Sequence, residues 1–261
     1  MPAALPRRCI FCGGSPLTLE HAWPRWLVGL IFRGVTGQEL SVENSDIPTR
    51  VWRSRNPSFT VKRTCATCNN GWMSRLESVV QPLITPMVLG RPRNLTDPDQ
   101  AAVSLWTVKT AALLQFTDPR RQAYVPSGHL TTLYRRQRAP AQDRIWLAGY
   151  RGVRIELRYW GRSAPARMYG RKSYETFNSY LVTMVMGRLV IRIFGHDRPD
   201  IHFEMSSSLD WELPIWPAQE SIHWPPRYGM DEPDLTKFRE RFDHLWERAP
   251  LETRDVDAIP E

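Results

Sequence analysis

The chain has 261 residues, 42% hydrophobic and 24% charged, and a formal net charge of +8. It contains no run of eighteen apolar residues, and residues 1–8 lack the apolar core of a secretory leader, so neither a membrane span nor a signal peptide is expected. The expectation is a cytoplasmic protein of one large domain or two small ones.

The charge is uneven. Residues 1–96 carry 12 basic and 5 acidic side chains, 119–172 carry 13 and 2, and 230–261 carry 5 and 10. A basic body with an acidic tail points to a polyanionic partner. The cations are 31 Arg against 4 Lys. The guanidinium fork suits phosphate and stacks on bases, which fits nucleic acid. A GC-rich coding sequence would also favour Arg, but would not cluster the charge.

Residues 1–26 read as irregular, with a knuckle at Cys9–Cys12, a turn at Gly13-Gly14 and a short extended segment leading to Glu20-His21. Residues 26–32 are apolar and predict a short helix, and 38–49 read as loop. Residues 50–55 and 58–63 alternate β-branched, aromatic and basic types about Asn56-Pro57, which predicts a hairpin delivering the chain to Cys65. From Asn69 to about Leu89, Trp72, Leu76, Val79, Val80 and Leu83 make a one-faced apolar stripe, hence a helix, limited by Pro82 and Pro86. Gly90-Arg91-Pro92 marks the end of this first unit.

Thr96, with Pro98 and two acids in the following turn, predicts the start of a helix running to about Phe116. A short helix is expected at 130–136. The signal then turns to strands, at 144–150, 153–160, 180–185 and 189–194, with another at 201–204. Residues 211–226 hold three Trp and four Pro and read as coil laid over a core. Residues 234–247 predict an amphipathic helix, and 251–261 a frayed tail. The fold class is α+β. Its expected units are 1–93, 94–250 around a central antiparallel sheet with flanking helices, and the tail.

All four cysteines fall in two Cys-x-x-Cys turns, Cys9/Cys12 and Cys65/Cys68, with 52 residues between Cys12 and Cys65. In a reducing compartment such turns are metal ligands rather than disulfides, and four thiolates suit a tetrahedral Zn²⁺. A closed thiolate site holds shape and does not catalyse. Chemistry has to come from elsewhere.

The order Cys-x-x-Cys, Glu20-His21-x-x-Pro24, Cys65-x-x-Cys68-Asn69 and then a helix resembles the HNH endonuclease family, the ββα-metal or His-Me finger, over residues 9–80. The resemblance implies hydrolysis of phosphodiester bonds, in DNA by family habit, with one divalent ion such as Mg²⁺ or Mn²⁺. It assigns His21 as general base and Glu20 as metal ligand. It makes Asn69 the residue that braces the loop holding His21, a role Asn70 could also fill. Counting on to the last family ligand, a His or Asn, gives Glu77, which departs from the pattern but still offers a hard oxygen ligand. Consecutive strand residues face opposite ways, so for Glu20 and His21 to share a site the strand must end or bend there.

Arg53, Arg55, Lys62 and Arg63 on the predicted hairpin are the candidate nucleic-acid contacts. The Arg of 119–172 are further candidates, whereas the interleaved Tyr and Trp there, like Trp23, Trp26 and Trp72, are expected mainly in the core. The other histidines show no ligand spacing. The reading is a metal-dependent endonuclease. The alternative is a non-catalytic, zinc-dependent nucleic-acid-binding module, which needs the same knuckles and cations but no convergence of Glu20, His21 and Glu77.

Overall fold

The computed structural model describes residues 8–33, 38–44, 47–54, 59–117, 123–152, 157–169, 174–201 and 211–237; for 38–44, 47–54, 164, 166–169, 174 and 175 it describes the backbone alone. Arg55, the Asn56-Pro57 turn, residues 202–204, the helix beyond 237 and the tail lie outside the described residues.

The chain begins with strand β1 (Leu17–His21), helix α1 (Arg25–Ile31), a hairpin of β2 (Gln38–Asn44) and β3 (Ile47–Ser54), and strand β4 (Thr60–Cys65). The expected hairpin between 50–55 and 58–63 does not form. β3 pairs with β2, in the stretch read as loop, and β4 pairs antiparallel with β1, Leu17 opposite Cys65 and His21 opposite Thr60. The cysteine turns explain this choice. One turn precedes β1 and the other ends β4, and bringing the turns together aligns the two strands. The Ile10 amide bonds the Arg63 carbonyl at 3.0 Å and extends the contact.

After β4 the chain turns at once into helix. One turn, α2 (Ala66–Cys68), is followed by a wide π-helical turn over Asn69–Met73 and by α3 (Ser74–Val88). Leu76, Val80, Leu83, Ile84 and Met87 are buried along α3, while Val79 of the expected stripe faces solvent. Strand β5 (Arg93–Leu95) leads to α4 (Asp97–Leu114), as predicted at Thr96. The Asp99 carboxylate accepts from both the Thr96 backbone amide, at 3.0 Å, and its hydroxyl, at 2.8 Å. Asp99→Ala should remove about 1 kcal/mol of stability and lower the melting temperature by about 2–4 °C, checked by thermal denaturation. No change would mean that water serves the helix end equally well.

Helix α5 (Ser127–Arg136) follows. Then come β6 (Arg144–Tyr150), β7 (Leu157–Tyr169), β8 (Tyr174–Met186), β9 (Leu189–His196), β10 (Glu212–Trp216), β11 (Ile222–Trp224) and β12 (Gly229–Met230). The central sheet runs β10-β6-β9-β8-β7, all antiparallel, with β12 parallel to β6. Residues 211–226 are therefore not all coil. β10 takes the edge of the sheet, where a strand tolerates Pro214, and β11 pairs with β5.

α4 is the wall between the two halves. Every residue from 103 to 114 is buried, against α3 on one side and the sheet on the other. One apolar cluster accordingly runs from Phe11 through α3 and α4 to Ile191 and Trp224, across the boundary expected at 93 and 94. The fold is α+β around a central antiparallel sheet. Among the described residues no helix is long and apolar enough to cross a membrane.

Candidate metal centre and adjoining site

The four cysteine sulfurs lie within 4.8 Å of one another. The local sequence builds this cluster. Gly13, at φ +73°, turns the first knuckle so that its amide bonds the Cys9 carbonyl at 2.9 Å, and the Gly14 amide points at Cys12 Sγ, 3.3 Å away. Helix α2 places Cys68 one turn beyond Cys65. The Cys12 and Cys65 sulfurs are 3.4 Å apart, well beyond the roughly 2.05 Å of a disulfide. Burial pushes the Cys12 and Cys68 thiols up. It acts likewise on Cys65, which is nonetheless carried down to about 7 by the Cys68 amide and the neighbouring thiols. Four soft donors at this spacing could bind a metal ion such as zinc.

β1 carries Glu20 and His21 to its end. Between Thr18 and Glu20 the pairing slips: Thr18 faces Thr64, but Glu20 faces Val61, so Lys62 and Arg63 stand opposite Leu19 alone. Such a bulge re-aims the side chains around it. The Asn69 amide reaches back across it, donating to the Leu19 carbonyl at 3.3 Å and the Thr18 hydroxyl at 3.4 Å. Asn69 is thereby tied to β1 at Thr18 and Leu19.

Glu20 is half-buried. Desolvation raises its carboxyl above the usual range, against the lowering effects of Lys109, the Asn69 amide and the His21 amide, while Glu77 adds to the rise. His21 is partly exposed, and burial together with the nearby Arg25 charge holds its imidazole below the ordinary histidine value. Among the described residues that ring accepts and donates no hydrogen bond.

Glu77, whose charge acts on the Glu20 carboxyl, is held by donors from α1 and α4. Its Oε2 accepts the Trp26 indole N–H at 2.7 Å, and its Oε1 accepts the Trp106 indole N–H at 2.9 Å together with the Lys109 ammonium. Among the described residues the four cysteines form the one group of three or more His, Cys, Asp or Glu side chains within ligand reach. Glu20, His21 and Glu77 do not make such a set. Lys109 and Trp106, from α4, are the members of this neighbourhood that the sequence reading missed. The signal was there: Lys109 is the lone cation in the run Trp106-Thr107-Val108-Lys109-Thr110-Ala111-Ala112.

Of the candidate nucleic-acid contacts, Lys62 is exposed beside the bulge. Arg63 is half-buried, with its guanidinium 4.5 Å from the Phe116 ring centre. Only the backbone of Arg53 is described, in β3. Tyr124, Trp146, Tyr150 and Tyr159 of the basic middle are buried, as are Trp23 and Trp72. Comparison with family models, with curated proteins and with solved structures finds no match.

Proposed function

We propose that this chain is a metal-dependent endonuclease of the HNH type, with residues 9–80 as a zinc-stapled ββα finger. The observation that carries the reading is the Asn69 amide bonded to the Leu19 carbonyl, two residues before His21, in a helix that follows directly from the second cysteine turn. It supports the roles that the motif order implies for these residues.

Zn²⁺ held by Cys9, Cys12, Cys65 and Cys68 would fix the ends of β1 and β4. For the catalytic ion, Glu20 fits the chemistry. Mg²⁺ keeps several waters and is bound through one or two carboxylates plus substrate phosphate oxygens. When bound, Mg²⁺ or Mn²⁺ supplies positive charge against the scissile phosphate and its leaving 3′-oxygen. The imidazole of His21, neutral at physiological pH, takes the proton from an attacking water. Asn69 holds the backbone beneath it, and exposed Lys62 meets substrate phosphate. DNA is the proposed substrate.

The absence of a three-ligand set at Glu20, His21 and Glu77 favours a second reading, a zinc-dependent module that binds nucleic acid without cutting it. One assay separates the two. Full-length chain is incubated with plasmid DNA and with single-stranded RNA, in Mg²⁺, in Mn²⁺ and in EDTA. The nuclease reading expects metal-dependent nicking of DNA that EDTA abolishes. Retained binding without cleavage of either polymer would replace it by the binding module.

A further inference from the structure

We infer that Glu77 is not a ligand of the divalent ion but the counter-ion of buried Lys109, that the pair pins the finger's helix to α1 and α4, and that Glu20 holds the ion without a second carboxylate. The ligand half of this statement rests on the nuclease reading; the pinning half stands on geometry alone.

Three donors from two other helices converge on one carboxylate. Trp26 approaches from α1, and Trp106 and Lys109 approach from α4, three residues apart on one helix face. Both oxygens are engaged, and one takes two donors. The Lys109 side chain is 0% exposed and its ammonium lies 5.7 Å from the Trp106 ring centre. Turning Glu77 toward an ion would take from this fully buried ammonium its ion-pair partner, a far costlier change than losing a surface pair. It would also leave two indole N–H groups without their acceptor. Glu77 and Lys109 together are neutral, whereas Glu20, the last residue but one of β1, is half-buried, feels the Lys109 charge and the Asn69 amide, and forms no salt bridge among the described residues.

Mn²⁺ binding, followed by calorimetry or electron paramagnetic resonance on zinc-loaded full-length protein, tests the ligand half. Glu20→Gln is expected to weaken Mn²⁺ affinity about tenfold or more. Glu77→Gln should leave it within about threefold of wild type while lowering the melting temperature. A tenfold loss of Mn²⁺ affinity in Glu77→Gln with unchanged melting would overturn the inference.

A thermal double-mutant cycle tests the pinning half. Lys109→Met and Glu77→Leu should each lower the melting temperature by about 10 °C, and the double variant should recover more than half of the summed loss. Additive losses would overturn it. Should a single variant fail to fold, the double variant still carries the Mn²⁺ measurement, where kept affinity supports the inference and lost affinity refutes it. If wild-type protein binds no Mn²⁺, or Glu20→Gln binds it as well as wild type does, the nuclease reading fails and takes the ligand half with it. The thermal cycle then decides the pinning half on its own.

Discussion

Replacing His21 by alanine is expected to lower metal-dependent cleavage by a factor of about 10² to 10⁴, the usual contribution of a positioned general base, with melting temperature and zinc content unchanged. The structure makes the variant a clean one. His21 closes β1, and what ties it to β4 is backbone pairing with Thr60, which alanine preserves. Its ring is partly exposed and takes no hydrogen bond among the described residues, so the core loses nothing. The imidazole is held below its ordinary value by burial and Arg25, so it is neutral and able to accept a proton at pH 7. Removing it leaves Asn69, the cysteine cluster and the Glu77–Lys109 pair untouched. Cleavage of plasmid DNA by His21→Ala at the wild-type rate would sink the assignment of His21 and, with it, the HNH reading.

What the sequence disclosed about this site was its local chemistry. Cys9/Cys12 and Cys65/Cys68 are readable because a two-residue spacing already sets two thiolates on one side of an ion. Thr96 and Asp99 are readable because a helix start is decided within one turn. The pairing of β1 with β4 was not readable. Alternation at 58–63 shows that the segment is a strand, but its partner lies some forty residues away and is selected by the meeting of the two cysteine turns. The nearer partner, across Asn56-Pro57, was the wrong one. The same limit hid Lys109. Its place in an apolar helix shows that the cation is buried, but buried against which acid depends on how α3 and α4 cross. Glu77 was read by counting along the helix from Asn69. The count gives the position, and the donors of α1 and α4 give the orientation.

Cys65→Ser is expected to abolish stoichiometric zinc binding and to lower the melting temperature by at least about 10 °C. Cys65 is where the two cysteine turns meet. It ends β4, it stands opposite Leu17 of β1, and its sulfur lies 3.4 Å from that of Cys12 in the other knuckle. A serine hydroxyl is a poor ligand for zinc beside three thiolates, so the ion is released or held loosely. Binding of structural zinc contributes on the order of 10 kcal/mol in small metal-built domains, because the unfolded chain offers no preformed site. Losing even a third of that, at about 2–4 °C per kcal/mol for a chain of this size, gives a shift near 10 °C. The damage should spread beyond the knuckles. Phe11, Trp72 and Leu76 pack in the same continuous cluster as α4, and the Phe11 and Trp72 rings meet edge to face at 5.2 Å. Metal analysis and calorimetry on the purified variant give both readouts. A zinc-free variant that melts like wild type would show that the apolar cluster alone holds β1 against β4 and that the thiolate site is not structural.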